Sequence, residues 1–245
     1  VGMRGPCAWR EQRMNTVPAG FPAPKIGNQT AVLTHRTIRD HVYQLYRVPD
    51  LDRLVDEIDP DTWKQDEKMP YWAELWPSGV ALAELLASDA AALRHARVLE
   101  LGCGLGLPSI VAAHLGAQVT ATDYYPEALD LLHVNAALNG VSLRTREVDW
   151  RTPPDLGRFD VVIAADVLYE RWQTPAMVDM LARTVLPGGT AVVVDPERVT
   201  ARDFAGAATF RGFRVETSHR RAENEAIPLI IYRLTWRTFP EHSKQ

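Results

Sequence analysis

The chain has 245 residues, 46% hydrophobic and 24% charged, with a net charge of −4. That is enough for one sizeable soluble domain with an extension, and the acidic balance argues against a nucleic-acid partner. No run approaches the ~18 apolar residues of a membrane span, so no membrane partner is expected either.

Residues 1–25 carry Pro6, Pro18, Pro22 and Pro24 with little periodic apolar content, and are expected to be a disordered tail. The two cysteines, Cys7 in that tail and Cys103, are too far apart to suggest a disulfide framework and fit a reducing, cytoplasmic compartment. The seven histidines fall at no zinc-like spacing, so no metal site is expected. Residues 26–68 read as an extension. Alternating patterns predict strands over 31–34 and 42–48, and Asp50 should cap a helix bearing Leu51, Leu54, Val55 and Ile58, stopped at Pro60. The main domain, 69–236, opens on Met69-Pro70-Tyr71-Trp72-Ala73-Glu74-Leu75-Trp76-Pro77-Ser78-Gly79. Pro77 suits the first turn of a helix with Val80, Leu82, Ala83 and Leu86 on its apolar face. Tyr71 and Trp72 read as plugs in a hydrophobic seam, and Trp76 as a candidate wall of a ligand pocket.

The apolar run Val98–Leu101 then passes into Gly102-Cys103-Gly104-Leu105-Gly106 and a helical pattern from Leu107. Strand, glycine turn and helix is how an open α/β sheet builds a nucleotide pocket. A dinucleotide fingerprint needs glycine at position 107, which is leucine, so a nicotinamide dehydrogenase is disfavoured. The loop instead reads E-x-G-x-G-x-G from Glu100 to Gly106, and resembles motif I of the class I, seven-stranded S-adenosylmethionine-dependent methyltransferases. The resemblance implies that Glu100 complements a cationic sulfonium and amino group, with Gly102, Cys103, Gly104 and Gly106 forming the loop beneath.

A second strand, 117–123, ends on Asp123, placed to accept two ribose hydroxyls or to cap the helix opening at Pro126. His133 on that helix reads as a face residue. A weaker strand, 141–148, closes on Asp149-Trp150. In methyltransferases of this type an acid here faces the adenine amino group and its neighbour lines the base; the alternative is a turn acid beside a buried tryptophan. The run Phe159–Ala165 is apolar almost throughout, as a central parallel strand should be. It delivers Asp166-Val167-Leu168-Tyr169 at its carboxyl end. A helix over 174–186 should stop at Pro187-Gly188-Gly189, followed by a strand over 190–194 with Asp195-Pro196-Glu197-Arg198 on the same rim. A helix over 200–210 and strands over 213–218 and 227–236 complete the count, and 237–245 reads as a frayed tail. The expected fold is a Rossmann-like, doubly wound α/β sheet of seven mostly parallel strands with an antiparallel last strand, behind an N-terminal hairpin and helix.

Taken together, Trp-Pro-Ser-Gly at 76–79, Glu-Leu-Gly-Cys-Gly at 100–104, Asp149-Trp150 and Ala165-Asp166-Val167-Leu168-Tyr169 resemble methyltransferase family 16, the protein-lysine methyltransferases with a D-x-x-Y motif. The resemblance covers about residues 26 to 236. It implies cofactor contacts at Trp76, Gly102, Cys103, Gly104, Asp123, Trp150 and Ala165, and a substrate-facing pair in Asp166 and Tyr169. Pro70-Tyr71-Trp72-Ala73 and Asp195-Pro196-Glu197-Arg198 are further similar to segments of the electron-transfer-flavoprotein β-subunit lysine methyltransferases. Glu197 stands where that pattern has glycine, and Leu75-Trp76-Pro77-Ser78 differs from its usual W-P-G-G ending. The resemblance thus implies a protein substrate presenting a lysine. Asp166 would hold the incoming ammonium and guide its proton away, and Tyr169 would orient the nitrogen. A capping acid and a packing tyrosine are the bland alternatives for this pair. A small-molecule N-methyltransferase and a non-catalytic binding protein on the same fold are the alternatives for the whole chain.

Overall fold

The apolar runs assemble into one central sheet. The computed structural model describes residues 10–11, 23–57, 69–221 and 227–237. Its strands are β1 Arg10–Glu11, β2 Lys25–Ile26, β3 Gln29–Thr30, β4 Val32–Ile38, β5 His41–Arg47, β6 Arg97–Leu101, β7 Gln118–Asp123, β8 Arg144–Glu147, β9 Phe159–Ala165, β10 Val185–Asp195, β11 Phe213–Arg221 and β12 Pro228–Trp236. The helices are α1 Leu51–Asp56, α2 Pro77–Ser88, α3 Ala90–Leu93, α4 Leu107–His114, α5 Pro126–Leu138, α6 Gln173–Thr184 and α7 Phe204–Arg211. The main sheet runs β1-β8-β7-β6-β9-β10-β12-β11. From β8 to β10 neighbours are parallel, whereas β12, last in sequence, inserts antiparallel between β10 and β11.

Successive residues of β6 serve opposite faces, as the pleat requires. Val98 packs with Leu82 of α2 and Ile110 of α4 on one side. Leu99 and Leu101 pack with Met177 and Leu181 of α6 and Phe204 of α7 on the other. Both faces are covered, which is why the parallel strands read as near-continuous apolar runs. The order reverses between β6 and β9, so the loops after β6, β7, β8, β9 and β10 open on one rim.

The expected fold class holds, with three corrections. Arg10–Glu11, inside the segment expected to be disordered, pairs antiparallel with Arg144 and Thr145 as a two-residue eighth strand; the other residues before 23 lie outside the described ones. The helix expected to reach Leu186 stops at Thr184, because Val185 already pairs with Phe159. Pro187-Gly188-Gly189 therefore sits inside β10, in an irregularity between Val185 and Thr190. There Gly188 takes φ 83°, and a Cβ on Gly189 would meet Asp160 O at 2.9 Å. The helix expected from Thr200 begins as a 3-10 turn, Val199–Ala201, and becomes α-helical only at Phe204.

The extension forms as its pattern suggests. β4 and β5 pair in a hairpin, and Asp50 Oδ1 accepts from Arg53 N at 3.0 Å to cap α1, which ends at Asp56. Ile58, Pro60 and residues 238–245 lie outside the described residues. The outer edge of β5 docks on α5 through two asparagines one turn apart. Asn135 accepts from Tyr46 N at 2.7 Å and donates to Tyr46 O and Leu105 O, each at 3.2 Å. Asn139 accepts from Gln44 N at 3.0 Å and donates to Gln44 O at 2.7 Å. Side-chain amides thus replace a neighbouring strand, and Asn135 also ties the hairpin to the glycine loop. Among the described residues, no helix is long and apolar enough to cross a membrane.

Candidate active site

A cavity of about 490 Å³ opens on the rim of the sheet. All twelve residues singled out from the sequence line it: Trp76, Glu100, Gly102, Cys103, Gly104, Gly106, Asp123, Asp149, Trp150, Ala165, Asp166 and Tyr169. They come from five separate stretches of chain, gathered because β6, β7, β8 and β9 are neighbours that end on the same side.

The glycine loop leaves β6 with Gly102 and Cys103 N–H groups both donating to Thr122 O at 2.9 Å. Gly102, Gly104 and Gly106 have φ of 71°, 49° and 79°. A Cβ on Gly102 would meet Val167 Cγ1 at 2.8 Å, and one on Gly104 would meet Trp72 O at 3.2 Å. Side chains here would fill the cradle, so the loop offers its backbone. Cys103 is a free, buried cysteine whose thiol burial pushes well above its ordinary pKa.

Glu100 continues the face of β6 that lies beneath α4, and its Oε2 accepts from Ser109 N at 3.0 Å in the first turn of that helix. Burial raises its pKa to about 8, against the opposing hydrogen bonds from Ser109. Asp123 ends β7. Its Oδ2 accepts from Gly104 N at 2.9 Å and its Oδ1 from Tyr125 N at 3.1 Å, and burial raises its pKa to about 6. Each oxygen retains a lone pair for a further donor. The N-cap of α5 is Tyr125, so Asp123 is free of the capping role. His133 is occupied on its helix face, its Nε2 3.0 Å from Thr145 Oγ1.

Asp149 holds Arg151, its Oδ1 accepting from Arg151 N and Nε at 2.9 Å and its Oδ2 from Nη2 at 2.8 Å. This partner was not anticipated from the sequence. The Arg151 guanidinium lies 5.6 Å from the Tyr124 ring centroid and 5.9 Å from that of Trp172, joining three rim loops. Trp150 lines the wall beside Gly102, at 3.8 Å from the Cβ position there.

The remaining wall follows β9. Tyr169 is edge-on to Tyr71 at 5.2 Å, Tyr71 is edge-on to Trp76 at 5.9 Å, and Trp76 Nε1 donates to Tyr71 O at 2.8 Å. Burial pushes the Tyr169 phenol up to about 12, so it stays a hydrogen-bond donor at any ordinary pH. Asp166 is buried at φ 61°, a conformation non-glycine residues adopt rarely and chiefly where function demands it. It is no helix cap, since α6 starts at Gln173 behind Trp172. Its Oδ1 accepts from Arg198 Nη2, while its Oδ2 has no partner among the described residues. The Asp166–Arg198 contact is a second feature that the sequence did not reveal.

The lining acids Glu74, Glu100, Asp123, Asp149, Asp166 and Glu170 face a single lining base, Arg151. Asp149 is paired with that base, Asp166 with Arg198, and burial keeps Glu100 largely protonated near neutral pH, yet the surplus of acids still favours a ligand with positive charge over a phosphate. A backbone cradle, an acid able to take two hydroxyls, an aromatic wall and acidic surroundings fit S-adenosylmethionine in size and charge. No group of three or more His, Cys, Asp and Glu among the described residues could hold a metal ion.

Comparison with known proteins agrees with this geometry. The profile of a family described as lysine methyltransferase matches residues 59–204. The electron transfer flavoprotein beta subunit lysine methyltransferase of Xenopus laevis is 32% identical over 145 residues, 56% of this chain and 59% of that protein. Protein N-lysine methyltransferase METTL21A of Danio rerio is 36% identical over 130 residues, 50% of this chain and 58% of that one. The chain thus spans less than two thirds of the length of these curated relatives. Among solved structures, the 16S rRNA N2 G1207 methyltransferase of T. thermophilus superposes with a TM-score of 0.61 at 16% identity, over 87% of this chain and 52% of that one. At that identity the likeness speaks for the fold.

Proposed function

The chain belongs to the lysine methyltransferase family, and from that premise we propose that it transfers a methyl group from S-adenosylmethionine to a lysine side chain of a protein substrate. The observation that carries the reading is Asp166, a buried acid at the carboxyl end of β9 that lines the cavity, keeps one carboxylate oxygen without a partner among the described residues, and has Tyr169 beside it in the same wall three residues on.

S-adenosylmethionine supplies an electrophilic methyl on a sulfonium. When it is bound, the Asp123 carboxylate would hold the ribose hydroxyls, Trp150 and Asp149 the base and its amino group, and Ala165 and Trp76 would complete the wall. The backbone from Gly102 to Gly106 and the acid of Glu100 would hold the cationic end. A lysine amine, with an ordinary pKa near 10.4, must shed a proton before it attacks. Asp166 Oδ2 accepts an N–H of the incoming ammonium and holds its proton, and the Tyr169 hydroxyl fixes the nitrogen's direction. The aromatic wall of Tyr71, Trp76 and Tyr169 excludes water, which also lowers the amine's pKa. Positioning supplies most of the catalysis of such a displacement.

The relative from Xenopus laevis is named for the electron transfer flavoprotein beta subunit, and Pro70–Ala73 and Asp195–Arg198 support testing that protein first. The buried free thiol of Cys103 supports a reducing, cytoplasmic setting. The test is incubation with methyl-labelled S-adenosylmethionine and either that subunit or a methylation-naive extract. The expected result is label on a protein lysine, lost in Asp166→Asn while calorimetric cofactor binding persists. Label confined to the small-molecule fraction, or none anywhere, overturns the proposal.

A further inference from the structure

The loop that follows β10 folds back across the end of β9. Asp195 closes β10, Glu197 takes φ 37°, and Arg198 is thereby turned inward between two carboxylates. Its Nη2 donates to Asp166 Oδ1, and its Nη1 lies 3.3 Å from Asp195 Oδ2. The Asp166 and Asp195 side chains are 5% and 0% exposed, and that of Arg198 is 29% exposed. Asp166 lines the cavity, but neither Asp195 nor Arg198 does. The guanidinium therefore approaches Asp166 from behind the cavity wall.

The charge balance around this contact is uneven. Two buried carboxylates share one guanidinium, and each keeps an oxygen without a partner among the described residues, Asp166 Oδ2 and Asp195 Oδ1. The other ionisable groups facing them offer no second cation. Tyr232 of β12 sits beside Asp195, Tyr169 and Glu170 follow Asp166, and Glu197 is engaged by His219 of β11, Oε1 to Nε2, at 2.7 Å. One guanidinium thus serves two carboxylates, and of the two only that of Asp166 belongs to a residue that lines the cavity.

We infer that Arg198 is a positioning residue, anchored by Asp195, which grips Asp166 through Oδ1 and so fixes how that carboxylate is presented to the substrate's ammonium. The inference rests on the reading of Asp166 given above. Without the guanidinium, two neighbouring carboxylates in a poorly solvated site repel, and one of them takes up a proton. A protonated Asp166 has lost the charge that attracts the lysine. A freely rotating one has lost the direction, and misplacing a reactive group by about 1 Å costs on the order of 100-fold in rate. The opposite role is also chemically coherent: a guanidinium standing in for the lysine would have to leave before substrate entered. The position behind the wall argues against it.

The test compares Arg198→Met, Arg198→Lys, Asp195→Asn and Asp166→Asn in the full chain, with kcat/KM followed from about pH 6 to about pH 9. Cofactor affinity by calorimetry and thermal midpoint are read alongside. Arg198→Met should lose on the order of 100-fold in kcat/KM near neutral pH, with cofactor affinity within about threefold and the acid limb moved up by about one pH unit or more. Arg198→Lys, which keeps the charge, should restore about tenfold of that loss or more and return the acid limb. Asp195→Asn removes the repelling neighbour, so its acid limb should move down even though the rate falls. These opposite shifts decide the matter even if Arg198→Met folds poorly. Wild-type or faster turnover in Arg198→Met, or a uniform loss with an unmoved acid limb in both Arg198→Met and Asp195→Asn, overturns the inference. Full activity in Asp166→Asn would instead sink the reading of Asp166 itself, a distinct and recognisable failure.

Discussion

Replacing Asn135 by alanine tests the claim that one amide joins the extension, α5 and the glycine loop. The side chain is fully buried and makes three hydrogen bonds to main-chain groups remote in sequence, Tyr46 N, Tyr46 O and Leu105 O. Removing it strands all three, and each buried, unsatisfied polar group costs about 1–3 kcal/mol. Partial relaxation of the hairpin offsets some of this, leaving a net loss of about 3 kcal/mol. For a domain of this size that lowers the thermal midpoint by about 6–12 °C. Asn139→Ala is the internal control: its partners Gln44 N and O are only part-buried, so water replaces the amide and the loss should be about 1 kcal/mol. Thermal unfolding by circular dichroism reads both variants. Cofactor titration of Asn135→Ala should also show weaker binding, because Leu105 loses a fixed donor within the loop. A midpoint within about 2 °C of the parent, or equal losses for the two asparagines, would refute the reasoning.

Further consequences concern the same rim. Asp123 must be ionised to accept two hydroxyls, and burial holds its pKa at about 6, so cofactor affinity should fall as pH drops through that value; calorimetry giving equal affinity well above and well below it would contradict this. Glu100, Asp123 and Asp195 all have folded pKa values above their ordinary ones, at about 8, about 6 and about 6. The folded state then binds more protons than the unfolded one from about pH 4 to about pH 8, so these groups make stability fall as pH rises through that window. The ligand-free protein should accordingly melt higher near pH 6 than near pH 8, and the reverse order would count against the assignment. Gly106→Ala places a Cβ 2.1 Å from Leu132 Cδ1 at φ 79°; it should cost about 2–4 kcal/mol and weaken cofactor binding, as chemical denaturation and titration would show. Glu197→Gly relieves a left-handed glutamate at the loss of an exposed pair with His219, so stability should hold or rise by up to about 1 kcal/mol, and a fall of more than that would be unexpected.

What could be read from the chain was whatever is local. The apolar run of β9, the capping Asp50, the Pro77 start of α2 and the alternate glycines each announce a conformation within a few residues. The rim acids were legible for the same reason, since each lies at the end of its own strand. Partners across the sheet were not. Asp166 and Arg198 are 32 residues apart and meet only because β9 and β10 are neighbours. Pro187-Gly188-Gly189 looks like a loop in isolation, yet the pairing of Val185 with Phe159 draws it into a strand. The docking roles of Asn135 and Asn139 were not legible either, because nothing in that helix reveals that a hairpin edge will lie on it.

The two asparagines also bear on solubility. A hairpin has two rims, and β5 gives one of them to β4. The outward amide and carbonyl of Gln44 and Tyr46 would otherwise invite the strand of another molecule, the usual start of sheet-to-sheet aggregation. With Asn135 and Asn139 seated there, the sticky rim is spoken for. On that side the hairpin offers no template to its neighbours.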